Sequence, residues 1–118
     1  MPKKAETLIV ERILAEYRKR GAFAEKLHGD GMQRAGLPDI LACYRGRYLL
    51  IEVKTPDGEL SDAQKQVIAE INKAQQLVYV VVSVAQAMAI LDRHDKLIDR
   101  FGNTAFETII VNEEHNHV

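Results

Sequence analysis

The chain has 118 residues, of which 47% are hydrophobic and 28% charged, and its formal net charge at pH 7 is -1. A chain of this size and composition can bury a hydrophobic core without disulfides, so we expect a single domain spanning 1–118, with a core at 6–111 and a polar tail at 112–118. The near-neutral charge excludes a protein whose whole surface attracts nucleic acid, so any such affinity must come from local patches.

A single cysteine, Cys43, excludes an intramolecular disulfide framework and is typical of a reducing compartment. No segment reaches the length of a transmembrane span, and the N-terminal lysines precede an amphipathic rather than a uniformly apolar stretch. We therefore expect no signal peptide, no membrane partner and a cytoplasmic protein.

The first elements are a helix, a short strand and a loop. Apolar residues recur at helical spacing from Lys4 to Arg20, and Gly21 is a typical helix stop. Residues 22–28 are predicted to form a strand, and residues 29–36, which contain three glycines, a loop.

A β-hairpin is predicted next. Asp39–Tyr44 and Tyr48–Thr55 are its strands, Arg45–Arg47 its turn, and Pro56–Gly58 closes it.

The second half of the chain alternates helices and strands. Ser61 is expected to cap a helix that ends near Gln75, and the apolar run Leu77–Ser83 predicts an interior strand parallel to its neighbour. A third helix at Val84–Asp95 and a last strand at Phe106–Val111 follow. The order α-β-β-β-α-β-α-β predicts an α/β fold with a mixed central β-sheet flanked by helices.

The second hairpin strand carries two charges on an otherwise apolar element. Alternation places Glu52 and Lys54 on the same face as Leu50. Burying ionised groups costs several kcal/mol each unless they are paired or neutralised, and a bound cation provides that compensation. A salt-bridged surface hairpin is the alternative.

Pairing of the hairpin strands brings a second carboxylate to Glu52, because Asp39 lies opposite the Thr55 end of the partner strand. Two carboxylates, a backbone carbonyl and water form the hard oxygen environment that suits Mg²⁺ or Mn²⁺, and the nearby Lys54 supplies positive charge for a phosphate. The pattern predicts phosphodiester hydrolysis.

These residues resemble a known family. Gly36-Leu37-Pro38-Asp39 followed by Glu52-Val53-Lys54 is similar to the PD-(D/E)XK nuclease core, which has a restriction-endonuclease-like fold. The resemblance is closer to the VRR-NUC branch, the virus-type replication-repair nucleases, through Lys26-Leu27-His28-Gly29, IEVKTP at 51–56, G-x-L-S-x-x-Q at 58–64 and the strand at 80–83. It spans roughly residues 6–91.

The resemblance implies roles for individual residues. Asp39 and Glu52 would bind the metal with the Val53 carbonyl as third protein ligand, and Lys54 would orient the attacking water and stabilise charge on the phosphorane. A glutamate of the first helix would join the site.

The identity of the helix-one glutamate and the role of Gln64 each have two alternatives. Glu6 shares the apolar face of the first helix and is preferred over Glu11, which lies nearer its edge. Gln64 matches a family glutamine that would reach the lysine or a phosphate. The same residue fits a capping box with Ser61, which has no catalytic implication.

The local basic residues are candidate DNA contacts, each with ordinary solvent exposure as the alternative. They are Lys26, His28, Arg34, Arg45 and Arg47. The resemblance implies a bacterial or phage Mg²⁺- or Mn²⁺-dependent DNA endonuclease of DNA repair or recombination that leaves 5′-phosphates, and a homodimer that cuts branched DNA such as four-way (Holliday) junctions. The alternatives are a nuclease for flaps, ends or unbranched duplex, and a DNA-binding module without turnover.

Overall fold

The computed structural model describes residues 4–27 and 34–102. Within them the elements are α1 (Ala5–Lys19), β1 (Phe23–Lys26), β2 (Ile40–Tyr44), β3 (Arg47–Val53), α2 (Asp62–Lys73), β4 (Val78–Val81) and α3 (Val84–Phe101). The predicted α/β fold with a mixed sheet and flanking helices is confirmed. The predicted last strand, Phe106–Val111, lies outside the described residues.

The described strands form one sheet in the order β1-β2-β3-β4. The first three run antiparallel to one another, whereas β3 and β4 are parallel. The predicted parallel pairing is therefore confirmed. Among the described strands, however, β4 lies at the edge of the sheet rather than in its interior, and within it only Val81 is buried.

The β2–β3 turn is tighter than the sequence suggested. Tyr44 pairs with Arg47, which already belongs to β3, so the turn consists of Arg45 and Gly46 alone. Both have positive φ, 48° and 86°. Two such residues match the right-handed twist of the strands. The tight turn therefore fixes the register in which β2 and β3 pair along their whole length.

The two faces of the sheet have different partners. On one face α1 and α3 pack on Leu49, Ile51 and Val53 of β3, and the buried Tyr17 hydroxyl of α1 donates to the Ala87 carbonyl of α3 over 2.6 Å. The opposite face carries Glu52, which contacts α2. The alternation predicted for β3 is thus observed, and it separates the apolar core from the charged residues.

Helix α3 is longer than predicted, since it continues six residues past Asp95 to Phe101. Its buried stripe continues through Leu91, His94 and Ile98, and no helix breaker follows Asp95 until Gly102 at φ 89°. Neither this 18-residue helix nor any other in the described part of the chain is long and apolar enough to cross a bilayer.

Candidate active site

Glu52 is a buried carboxylate near the end of the central strand β3. Its side chain is 2% exposed, and its register partner on β4 is Val80. Oε1 accepts a hydrogen bond from Gln64, whereas Oε2 is buried with no hydrogen-bond partner within the described residues. A buried, unpartnered carboxylate oxygen is costly, so this atom requires a further partner.

Asp39 is anchored at the start of β2. Its backbone N–H donates to the Ile51 carbonyl at 3.0 Å, and its carbonyl accepts from Leu27 N–H at 2.8 Å. Its side-chain Oδ2 accepts from the Val53 N–H at 2.7 Å. The side chain thus takes the backbone donor just beyond the last ladder pair, Ile40 with Ile51, which holds this carboxylate beside Glu52.

The two carboxyl groups affect each other strongly. Burial, together with the adjacent Asp39, raises the pKa of Glu52 from its ordinary 4.5 to about 8, although the Lys54 ammonium acts in the opposite direction. Without a cation, Glu52 therefore holds a proton at neutral pH, because two negative charges so close together in a buried site are unfavourable.

Gln64 forms the predicted helix cap and also contacts the acidic pair, although its partner there is Glu52 rather than the predicted lysine. Its Oε1 accepts from the Ser61 N–H at 2.8 Å, which completes a capping box at the start of α2. Its Nε2 donates to Glu52 Oε1 at 3.0 Å. The oxygen of the Gln64 amide thus makes the helix cap, and the nitrogen of the same amide contacts the acidic pair.

A matched pair of variants separates these two contributions. Gln86 occupies the corresponding position of α3, where its N–H donates to Ser83 Oγ at 3.1 Å and its Oε1 accepts from the N–H of Val82, the residue before the cap, at 2.8 Å. Gln64→Ala and Gln86→Ala should each lower the free energy of unfolding by about 1 kcal/mol. Only Gln64→Ala should also weaken Mn²⁺ binding, by about tenfold in a calorimetric titration, through loss of support for Glu52. Equal Mn²⁺ affinity in the two variants would contradict this role of Gln64.

Gly36 brings the loop before Asp39 into direct contact with α2. Its φ is 91°, and a Cβ at this position would lie 2.5 Å from the Ala63 carbonyl oxygen and 2.9 Å from the Gln64 nitrogen. No side chain fits there without moving backbone. The sequence identified Gly36 as part of the motif but did not reveal that it packs on the first turn of α2.

Gly36→Ala should therefore be strongly destabilising, and Gly21→Ala is its control. Gly21 has nearly the same φ, 87°, but open space where a Cβ would lie. Gly21→Ala should cost about 1 kcal/mol of backbone strain, whereas Gly36→Ala should cost at least about 2 kcal/mol more, as measured by denaturant unfolding. Similar costs for the two variants would mean that the loop and α2 separate easily.

Lys54 and Glu6 lie near the acidic pair. Lys54 continues the face of Glu52 by alternation, and its backbone N–H donates to the Val81 carbonyl at 2.9 Å. The negative charge of Glu6 on α1 makes a small contribution to the raised pKa of Glu52. The structure therefore brings the preferred glutamate, Glu6, within electrostatic range of the pair.

The donor set fits a hard cation bound through few protein side chains. Across residues 4–27 and 34–102 no three acidic, histidine or cysteine side chains converge into a metal-binding group. Asp39 and Glu52 are two neighbouring carboxylates, and Mg²⁺ commonly takes one or two carboxylates alongside water and substrate phosphates. The Val53 carbonyl follows Glu52 directly and is the remaining predicted ligand.

The predicted DNA contacts are dispersed. Lys26 is exposed at the end of β1, and Arg34 pairs with Glu70 on α2. Arg45 donates to Asp95 of α3 at 2.9 Å. His28 lies outside the described residues.

The hairpin arginines lie at the opposite end of β3 from the acidic pair. Arg47 lies five residue steps along the strand from Glu52, or about 17 Å. Arg45 takes part in an ion-pair cluster in which Arg20 also bridges to Asp92 and Asp95, at 2.8 and 2.7 Å. The contacts of Arg45 tie the hairpin to α3, which is a structural role.

This chain is similar to one protein family and to two solved structures. A family model described as VRR-NUC domain matches residues 2–85. A solved structure described as a VRR_NUC domain has a TM-score of 0.62 and 26% identity, covering 84% of this chain and 99% of that chain. Hjc from Archaeoglobus fulgidus, described as a Holliday junction resolvase, has a TM-score of 0.48 and 31% identity, covering 63% and 64% of the two chains. No curated protein matches.

Proposed function

The chain belongs to the VRR-NUC domain family, whose members are nucleases acting on DNA, and we propose that it is a Mg²⁺- or Mn²⁺-dependent endonuclease that hydrolyses phosphodiester bonds in branched DNA. The observation that carries this proposal is the pair Asp39 and Glu52. Each carboxylate has one oxygen held by a protein N–H, from Val53 and Gln64. The second oxygen of Glu52 is buried and unpartnered within the described residues.

In this proposal Asp39, Glu52 and the Val53 carbonyl hold the metal ion. The two N–H donors act as the outer partners that orient metal-binding carboxylates in other proteins. When bound, the ion neutralises negative charge on the scissile phosphate and polarises its phosphorus–oxygen bonds. Protonated Glu52 must lose its proton for binding, so metal affinity should rise with pH.

Lys54 serves the reacting phosphate rather than the metal. Its ammonium is placed to orient the attacking water and to stabilise the negative charge that grows on the phosphate oxygens in the transition state. A new phosphorus–oxygen bond forms to water while the bond to the 3′ oxygen breaks. The water gives up a proton to solvent and the departing 3′ oxygen takes one, which leaves a 5′-phosphate and a 3′-hydroxyl.

We propose a homodimer because the described part of the sheet carries an exposed apolar row. Phe23, Cys43 and Tyr48 are register partners across three strands, and Phe23 and Tyr48 are 60% and 66% exposed. Contiguous exposed apolar surface is typical of an interface, and a second copy provides a matching surface. Two active sites in one particle suit a substrate in which two strands are cut, as in a four-way junction.

The test is a cleavage panel in Mg²⁺ and in Mn²⁺ with four-way junction, flap, linear duplex and supercoiled DNA. We expect the junction to be cut at least about tenfold faster than linear duplex of the same sequence, a difference of 1.4 kcal/mol in transition-state binding. Light scattering should give twice the monomer mass, and Phe23→Asp should give the monomer mass.

The panel also distinguishes the alternatives. Preference for flaps or ends, or equal rates on junction and linear duplex, would replace branched DNA as the substrate. Binding of DNA without cleavage in either ion would indicate a binding module and contradict the proposed enzyme.

A further inference from the structure

We infer that Ser61 is a positioning residue whose backbone N–H fixes the orientation of the Gln64 amide and so determines which oxygen of Glu52 is offered to the metal. This inference rests on the proposed function, since it assigns a task to a residue that touches neither metal nor DNA. It concerns the first turn of α2, which begins at Asp62 directly after Ser61.

The two ends of the Gln64 amide have opposite hydrogen-bonding roles. Gln64 Oε1 accepts only, and it faces the Ser61 N–H at 2.8 Å. Nε2 donates only, and it faces Glu52 Oε1 at 3.0 Å. When Glu52 is ionised, as metal binding requires, a flipped amide would set its oxygen against the carboxylate and its NH₂ against the Ser61 N–H, so both hydrogen bonds would become repulsive. The backbone donor thus selects one of two orientations.

The selected orientation of the Gln64 amide determines which oxygen of Glu52 is left for a cation. Because the amide NH₂ occupies Oε1, the carboxylate offers a cation Oε2, the buried oxygen that has no partner within the described residues. Binding through one oxygen leaves the metal with open positions for water and phosphate, which catalysis requires. Ser61 therefore acts on the metal indirectly, through its hydrogen bond to Gln64 and the hydrogen bond from Gln64 to Glu52.

The Ser61 N–H is itself held in place. The Ser61 hydroxyl accepts from the Gln64 N–H at 3.1 Å, and the Ser61 carbonyl accepts from the Lys65 N–H at 2.9 Å. Gly36 packs against Ala63 in the same turn. The donor therefore cannot turn away from Gln64 unless the start of α2 unravels.

Two substitutions of Ser61 separate its N–H from its hydroxyl. Ser61 has φ −69°, which a proline ring adopts without strain. Ser61→Pro deletes the N–H and the hydroxyl, whereas Ser61→Ala deletes the hydroxyl alone. Ser83→Ala, the same change at the cap of α3, is the control for loss of a capping hydroxyl.

We expect Ser61→Ala and Ser83→Ala to lower Tm alike and to leave the Mn²⁺ dissociation constant, measured by calorimetry, close to that of the wild type. Ser61→Pro should raise that constant about tenfold. In metal-free protein the side-chain amide resonances of Gln64 should keep their wild-type positions in Ser61→Ala and move toward those of exposed glutamines in Ser61→Pro.

Unchanged Gln64 resonances and unchanged Mn²⁺ affinity in Ser61→Pro would overturn the inference. An equal loss in Ser61→Ala would also overturn it, because the hydroxyl would then be the positioning group. If proline prevents folding, replacing the Ser61 amide by an ester removes the same N–H. Failure of the wild type to bind Mn²⁺ would instead contradict the proposed function, and the resonances of metal-free protein would still test Ser61.

Discussion

Replacement of Lys54 by alanine should lower the rate of DNA cleavage by about a hundredfold to a thousandfold while DNA binding changes little. The Lys54 ammonium lies within electrostatic range of Glu52, and its charge is most valuable when negative charge accumulates on the phosphate. Because Asp39 and Glu52 keep their N–H donors in this variant, the metal site should persist.

The loss should fall on kcat rather than on KM, since it removes an interaction made in the transition state. Single-turnover cleavage and gel-shift binding in Mn²⁺ measure the two parts. Lys73→Ala is the control, because it removes an exposed lysine from the last turn of α2. Weakened binding with normal cleavage in Lys54→Ala would place the lysine in substrate binding instead.

Replacement of Glu52 by glutamine should have the opposite effects on activity and on stability. It should abolish Mn²⁺ binding and cleavage because it removes one of the two carboxylates proposed to hold the metal. It should also stabilise the metal-free protein by up to about 4 kcal/mol at pH 8, because the buried charge costs free energy that a neutral amide does not.

The pH dependence of this stabilisation follows from the raised pKa. Below pH 4.5 Glu52 is protonated in both folded and unfolded protein, so its ionisation contributes nothing to the difference between wild type and variant. Between pH 4.5 and about 8 the unfolded chain loses the proton and the folded protein keeps it. The wild type should therefore become less stable than Glu52→Gln as pH rises through this window.

Urea unfolding in EDTA at pH 4.5, 6 and 8 measures this difference, and Glu59→Gln, at an exposed carboxylate in the β3–α2 connection, is the control. A constant difference across these pH values would mean that Glu52 is ionised in the metal-free protein. Addition of Mn²⁺ should stabilise the wild type and leave Glu52→Gln unchanged.

The strand that carries the site was predictable because alternation has a simple physical cause. Apolar residues at 49, 51 and 53 face the helices, so Glu52 and Lys54 must face the other way. The position of Asp39 followed from hairpin pairing in the same manner. These predictions depend on local geometry and short sequence separation.

Contacts between elements were less accessible to sequence reasoning. The sequence offered cap and site as alternatives for Gln64, because a residue pattern does not show that both ends of one amide are used. The approach of Gly36 to Ala63 joins two segments 27 positions apart and depends on backbone packing. The long α3 was underestimated because helix ends are set by weak stop signals when no glycine or proline intervenes.

The ion pairs of the basic residues were also not predictable from the sequence. Arg45 and Arg34 were predicted as DNA contacts from charge alone, yet each has an acidic partner, Asp95 and Glu70. Charge in a sequence does not reveal pairing across the fold. A role of these arginines in DNA binding stays a prediction. Each arginine would have to release its carboxylate partner in order to bind a DNA phosphate.

The most direct test of the central claim, that Asp39 and Glu52 form the metal site of a DNA nuclease, is cleavage of an end-labelled four-way junction by wild type and Asp39→Asn across an Mn²⁺ titration that starts in EDTA. We expect no product in EDTA, saturable cleavage by the wild type with 5′-phosphate ends, and for Asp39→Asn a large shift to higher Mn²⁺ or no cleavage. Cleavage by the wild type in EDTA, or identical Mn²⁺ curves for the two proteins, would contradict the claim.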